Sequence, residues 1–252
     1  MEHTCLNCLE TVTGNFCPNC GQKTDTHRIT LKHFLLHDLL HGIWHLERGM
    51  VFTIKEALLR PGQAALDYIG GKRIRYYNVF YLCLLVIGLN IVLVHLYDFL
   101  EPKRLVKNDN NVEVVEFFSE YLKFILLAIV PIVAINAFLI FRRLKLNLAE
   151  HFILSGINLL GILIISILYT FFDFLADKYS AWTFAILQLI SVLLFFLFPI
   201  WAYYNATKRV YKFGAVLWRI LLFSLLIYLQ IFLILIAIFM MLTGKSDLQI
   251  ST

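Results

Sequence analysis

From residue 79 onward the chain is written in apolar blocks, each long enough to cross a bilayer, separated by short polar stretches. A membrane span needs roughly 20 apolar residues at 1.5 Å rise each. Five blocks meet that length: 79–100, 121–141, 152–172, 182–204 and 220–242. None alternates with the charged outer face that a soluble helix carries. The pattern predicts an all-α membrane protein with about five transmembrane helices filling residues 79–242. The loop at 101–120, with Asn108, Asp109, Asn110 and Asn111, reads as a solvated connection. A polar tail covers 243–252. Ahead of the first block, residues 1–26 form a polar, cysteine-bearing head. Residues 27–78 form an amphipathic juxtamembrane segment, in which Pro61-Gly62 is expected to end a helix around Thr53–Leu59. The first thirty residues hold no apolar signal-peptide core, so the first span is expected to act as its own insertion signal.

Composition supports this reading. The chain is 60% hydrophobic and only 15% charged, against about 25% charged in soluble domains. Its mean hydropathy is +0.76. Charge then sets the orientation. Nine Lys and Arg precede residue 79, three lie in the loop at 142–145, and four lie between residues 208 and 219. The opposite side carries six. The expectation is a cytoplasmic N-terminus and an outside C-terminus. The net charge of +5 is therefore a topology signal, with anionic headgroups as the partner and no nucleic acid.

Four of the five cysteines form two knuckles, Cys5-Leu-Asn-Cys8 and Cys17-Pro-Asn-Cys20. Each CxxC turn aims two sulfurs at one point, and four thiolates complete a tetrahedral zinc shell. The head is thus expected to be a zinc ribbon. Four protein ligands leave no open position, so the Zn²⁺ is structural; a redox pair is the alternative. Cys83 falls within the first span and reads as a small buried hydrophobe.

His33, His37, His41 and His45 recur every fourth residue. On a helix they cover an arc of about 120°, with the end pair about 18 Å apart along the axis. Four such histidines cannot surround one ion. They form the polar face of an interfacial helix, or two partial sites for a second metal ion completed from elsewhere. Glu150 and His151, at the mouth of the third span, are the candidates to complete them. Gly70-Gly71 leads into Lys72, Arg73 and Arg75, which read as a contact for lipid headgroups or a phosphate. Within the spans, Asn90, Asn136, Asn158, Gln188 and Gln230 are polar without charge, a pattern that favours hydrogen bonds between helices. Pro131 and Pro199 mark kinks.

The knuckle ending Cys17–Gln22, then Arg28-Ile29-Thr30, Arg48-Gly49, Thr53, Leu58, Arg60-Pro61-Gly62, Tyr68 and Gly71-Lys72-Arg73 carry a resemblance. So do Asn147-Leu148-Ala149-Glu150-His151 and the stretch from Tyr204 to Tyr211. Together they resemble an uncharacterised family of multi-pass proteins common in Bacteroidetes-type bacteria. The family has a proline shortly after the GKR motif, where this chain has Asn78 and Val79. The resemblance implies a bacterial cytoplasmic (inner) membrane and a zinc-ribbon head, and brings no activity. Three functions fit the residues. The first is a non-enzymatic scaffold or sensor whose ribbon meets a cytoplasmic protein. The others are a small-solute or lipid transporter, and a cytoplasm-facing metal-dependent membrane enzyme.

Overall fold

The computed structural model describes residues 3–24, 28, 49–100, 112–179 and 182–250. The histidine stripe, His33, His37, His41 and His45, lies outside the described residues. The head opens with β1 (His3–Thr4), paired antiparallel with β2 (Thr11–Val12) in the register His3 to Val12. Among the described residues seven α-helices follow: α1 (Met50–Leu59), α2 (Pro61–Ile69), α3 (Val79–Leu100), α4 (Val112–Ile140), α5 (Leu148–Tyr179), α6 (Trp182–Thr207) and α7 (Phe213–Ile250).

Among the described residues four stretches are long and apolar enough to cross a membrane: Arg73–Tyr97, which contains most of α3, then α5, α6 and part of α7 from Phe213 to Met240. The second expected span falls on α4, a 29-residue helix whose described apolar stretch is Leu127–Ile140. The fold is an all-α, membrane-type bundle with the cysteine head at one end.

Helix α5 is the centre of the bundle. It packs against α1, α2, α3, α4 and α6, while α7 lies on α4 and α6. In a bilayer, lipid tails are as apolar as leucine, so close packing of small residues must hold helices together. Helix α5 supplies them where neighbours press closest. A Cβ on Gly156 would meet the Phe80 ring at 2.9 Å, and one on Gly161 would meet Phe198 at 2.1 Å. By contrast α6 and α7 turn large side chains outward, among them Leu189, Leu193, Leu197, Leu221 and Leu225. Those faces suit hydrocarbon.

The short helices close one end of the bundle. Pro61-Gly62 follows the end of α1 at Leu59, as the residues around it imply. The structure adds that Pro61 also begins the next helix. Arg60 leaves the helical region (φ −143°, ψ 53°), and Pro61 opens α2. Proline suits that position because its missing N–H would have no partner in the first turn. The Asn205 side chain on α6 instead caps this end, accepting from the Gln63 N–H at 2.9 Å. Gly62 then lies directly on the α6 backbone. Helix α3 is started by Asn78, whose Oδ1 accepts from the Phe80 N–H at 3.1 Å. Asn78 is thus the N-cap of α3.

Helices α3, α5 and α7 begin at the end carrying the ribbon, and α4 and α6 finish there. Contacts between Phe141 and Phe223 near that end, and Asn136 with Gln230 further in, fix the antiparallel course of α7. The far end of α7 therefore points away from the ribbon.

Candidate metal centre and its juxtamembrane cradle

The two knuckles fold alike. In the first, the Cys5 N–H donates to the Glu10 carbonyl and the Leu9 N–H to the Cys5 carbonyl. In the second, the Cys17 N–H donates to the Gln22 carbonyl and the Gly21 N–H to the Cys17 carbonyl. Both turns need a left-handed residue at the same place. Gly21 has φ 74° and Leu9 has φ 66°. Glycine adopts that region freely, whereas leucine meets its own Cβ there. Leu9 is 77% exposed, so its side chain returns little packing. Leu9→Gly should therefore stabilise the folded ribbon by up to about 1 kcal/mol. A chelator titration should show this as a higher competitor concentration at half-release of metal.

The four sulfurs lie within 4.8 Å of one another. Cys5 and Cys20 are 3.6 Å apart and Cys8 and Cys17 3.5 Å. A tetrahedron with metal–sulfur bonds of 2.3 Å has edges of about 3.8 Å. All four are free thiols. The donor set fits a metal ion, and among the described residues no other group of three or more donors does. Among the described residues, the buried hydrophobic side chains of the ribbon are Cys5, Val12 and Cys17. So small a core orders a domain poorly by itself, and a metal ion bound by the four sulfurs would supply the folding free energy.

The sequence gives no hint of what holds this centre in place. The basic turn ahead of α3 does. Residues Arg73–Arg75 form a 3-10 turn. The Arg75 Nε donates to Asn7 Oδ1 at 2.7 Å, and its Nη2 donates to the Asn7 carbonyl at 3.1 Å. The Asn7 side chain in turn hydrogen-bonds Cys20, which is the first cause of that thiol being pushed down to about 6; the Gln22 N–H lowers it further, and burial works against both. On the second knuckle, the Ile74 N–H donates to Gln22 Oε1 at 3.0 Å. Leu6 packs on Gly71, where a Cβ would come within 2.6 Å of it. Partners of this kind orient metal ligands and tune their basicity.

Helix α1 fixes the turn from behind. Thr53 Oγ1 donates to the Gly49 carbonyl at 2.7 Å and accepts from the Tyr77 N–H at 2.8 Å. A Cβ on Gly49 would meet the Arg75 carbonyl at 2.8 Å. Of the three cations expected at headgroups, Lys72 pairs with Asp67 at 2.9 Å, and Arg75 reaches the ribbon. Arg73 opens the turn itself.

Glu150 and His151 sit at the same end of the bundle, in different environments. Asn147 caps α5 by accepting from the Glu150 N–H at 2.9 Å, and Glu150 returns by accepting from the Asn147 N–H at 2.7 Å. This is a reciprocal capping box. Arg28 then grips both carboxylate oxygens at 2.8 Å and donates to the Lys145 carbonyl. The pair raises the Arg28 pKa, first through the hydrogen bond to Glu150. The Glu150 side chain is 4% exposed and that of Arg28 60%. Because Arg28 is solvated, Glu150→Ala should cost only about 2 kcal/mol, most of it from the cap and the orphaned donors. Glu150→Gln, which retains the cap, should lose about half of that. Thermal midpoints in detergent would read the difference. His151 is buried, its ring edge-on to Phe138 at 6.0 Å.

The Asn-x-x-Glu spacing at 147–150 could have been read as a capping box from sequence. The contacts of Asn7 and Gln22 with residues 74 and 75 had no such signal.

Residues 47–88 match a family described as a protein of unknown function (DUF3667). The matched stretch contains α1, α2, the ribbon-binding turn and the first part of α3. No curated protein matches the chain, and no solved structure does.

Proposed function

We propose that the protein is a non-enzymatic membrane scaffold or sensor whose zinc ribbon is latched to the bundle by the turn at Arg73–Arg75. The carrying observation is the relay from Arg75 through Asn7 to Cys20. It makes the juxtamembrane segment the outer shell of the metal site. Four thiolates with no other donor select Zn²⁺ held for structure, since no position is left for a substrate. Coupling of this kind is reciprocal: whatever loosens the metal loosens the turn, and the reverse.

The setting follows from the charge pattern. The excess of Lys and Arg at the ribbon end supports a cytoplasmic N-terminus and an outside C-terminus, and the family resemblance supports a bacterial inner membrane. Anionic headgroups meet the cations at that end. Leu9 and Phe16, both exposed on the ribbon, offer an apolar contact to a cytoplasmic protein partner.

Arg75→Lys tests the latch. Lysine keeps the charge and loses the planar fork that holds two oxygens of Asn7. Zinc affinity of the full chain should fall about 10- to 100-fold, the usual effect of losing an outer-shell partner. Unchanged affinity would detach the turn from the metal site and remove the basis for a sensor.

A further inference from the structure

Between α4, α5, α6 and α7 lies a cavity of about 270 Å³. Its walls are aliphatic and aromatic, with Ile129, Val133, Leu159, Ile162, Phe195 and Ile231 among them. Three lining residues carry polar side-chain atoms: Ser155, Asn158 and Tyr228. Two of these are satisfied within the protein. Ser155 Oγ lies 2.9 Å from the Tyr203 hydroxyl, and the Tyr228 hydroxyl donates to the Phe196 carbonyl. Asn158 is different. It is 4% exposed, and its Oδ1 has no hydrogen-bond partner among the described residues.

Asn158 lies ten residues into α5, about 15 Å from the start of the helix. In hydrocarbon an unpaired amide is costly, and lipid tails cannot relieve it. One turn nearer the ribbon, the rings of Phe141, Tyr203 and Phe223 stack together, with centroids 4.2 to 5.4 Å apart. The cavity exceeds the roughly 150 Å³ in which an apolar cavity takes up benzene.

We infer that this cavity binds a lipid-soluble alcohol, an apolar body carrying one hydroxyl that pairs with the Asn158 amide. A hydroxyl both donates and accepts, so it satisfies the amide in either flip orientation. A hydrocarbon leaves Oδ1 unpaired. A ketone or ester has no donor for it. A carboxylate or an ammonium would bring a charge, and no lining residue carries an opposite one. One hydroxyl on an apolar body is the chemistry the lining satisfies completely. The inference stands on this cavity alone and is independent of the ribbon.

The test uses the full chain in phospholipid vesicles and a long-chain alcohol bearing a photoreactive diazirine near mid-chain. Crosslinks should concentrate on the lining segments of α5 and α7. They should fall at least tenfold with excess n-decanol and persist with excess n-decane. Asn158→Leu, close in volume, should reduce labelling by a similar factor at an unchanged thermal midpoint. If that variant fails to fold, the decanol-against-decane comparison on the unaltered chain decides alone. Equal competition by decane would make the cavity an apolar crevice for lipid tails and overturn the inference. So would labelling spread along outward residues such as Leu189 and Leu193. Absence of displaceable labelling would also overturn it, and would leave a buried water as the partner of Asn158.

Discussion

Gly62→Ala should abolish most of the folded protein, although alanine is the better helix former. By intrinsic propensity the change favours a helix by about 1 kcal/mol. At this site it places a Cβ 2.2 Å from the Ala206 nitrogen and 2.5 Å from the Ala202 carbonyl oxygen. Both are backbone atoms of α6, so no side chain can swing aside. Helices α2 and α6 would have to separate by more than 1 Å, breaking the bond from the Gln63 N–H to Asn205 as they do. Overpacking against backbone belongs to the severe class of substitutions, here about 4 kcal/mol or more. Gly88→Ala is the control, because nothing lies within 4 Å of a Cβ there. It should be neutral or stabilising by up to about 1 kcal/mol. Monodisperse yield and thermal midpoint in detergent should separate the two sharply. Equal behaviour would mean that α2 does not seat on α6 as described.

The second large effect is metal removal. Structural zinc contributes about 10–16 kcal/mol of apparent binding free energy in small tetrathiolate or mixed sites. With so few buried residues of its own, the ribbon should unfold when a strong chelator takes the metal, while the bundle keeps its helices. Limited trypsin digestion reads this directly. In the metal-loaded protein Lys23 lies within the folded head, bridged to Phe16, and should resist cleavage. After chelation it should be cut at least tenfold faster. Far-UV circular dichroism should change little, since the ribbon contributes two strands of two residues and no helix.

Each feature that could be read from sequence rested on local spacing. The two CxxC knuckles place four sulfurs within 4.8 Å, because each turn is set by residues five apart or fewer. The apolar blocks give long helices for the same reason. What stayed hidden depends on partners far along the chain. Arg75 meets Asn7 across 68 positions, and Arg28 meets Glu150 across 122. A basic cluster before a membrane span reads as a headgroup contact by composition, and nothing local distinguishes an arginine that reaches a protein carbonyl. Pro61 was legible as punctuation. That it both ends α1 and opens α2 followed from the cap that Asn205 provides on a helix more than 140 residues later. Asn158 reads as a helix-packing asparagine until the cavity beside it is seen.

If the metal centre and the juxtamembrane turn form one unit, loss of the metal must loosen the turn. Hydrogen exchange across residues 70–77 of the full chain, with metal bound and after chelation, tests it most directly. The Ile74 N–H donates at 3.0 Å to Gln22 Oε1, on the second knuckle, and should lose that partner when the knuckle unfolds. Chelation should raise exchange across 70–77 at least tenfold and leave the α5 amides unchanged. Protection of 70–77 that survives metal loss would contradict it, because the turn would then hold its shape without the ribbon.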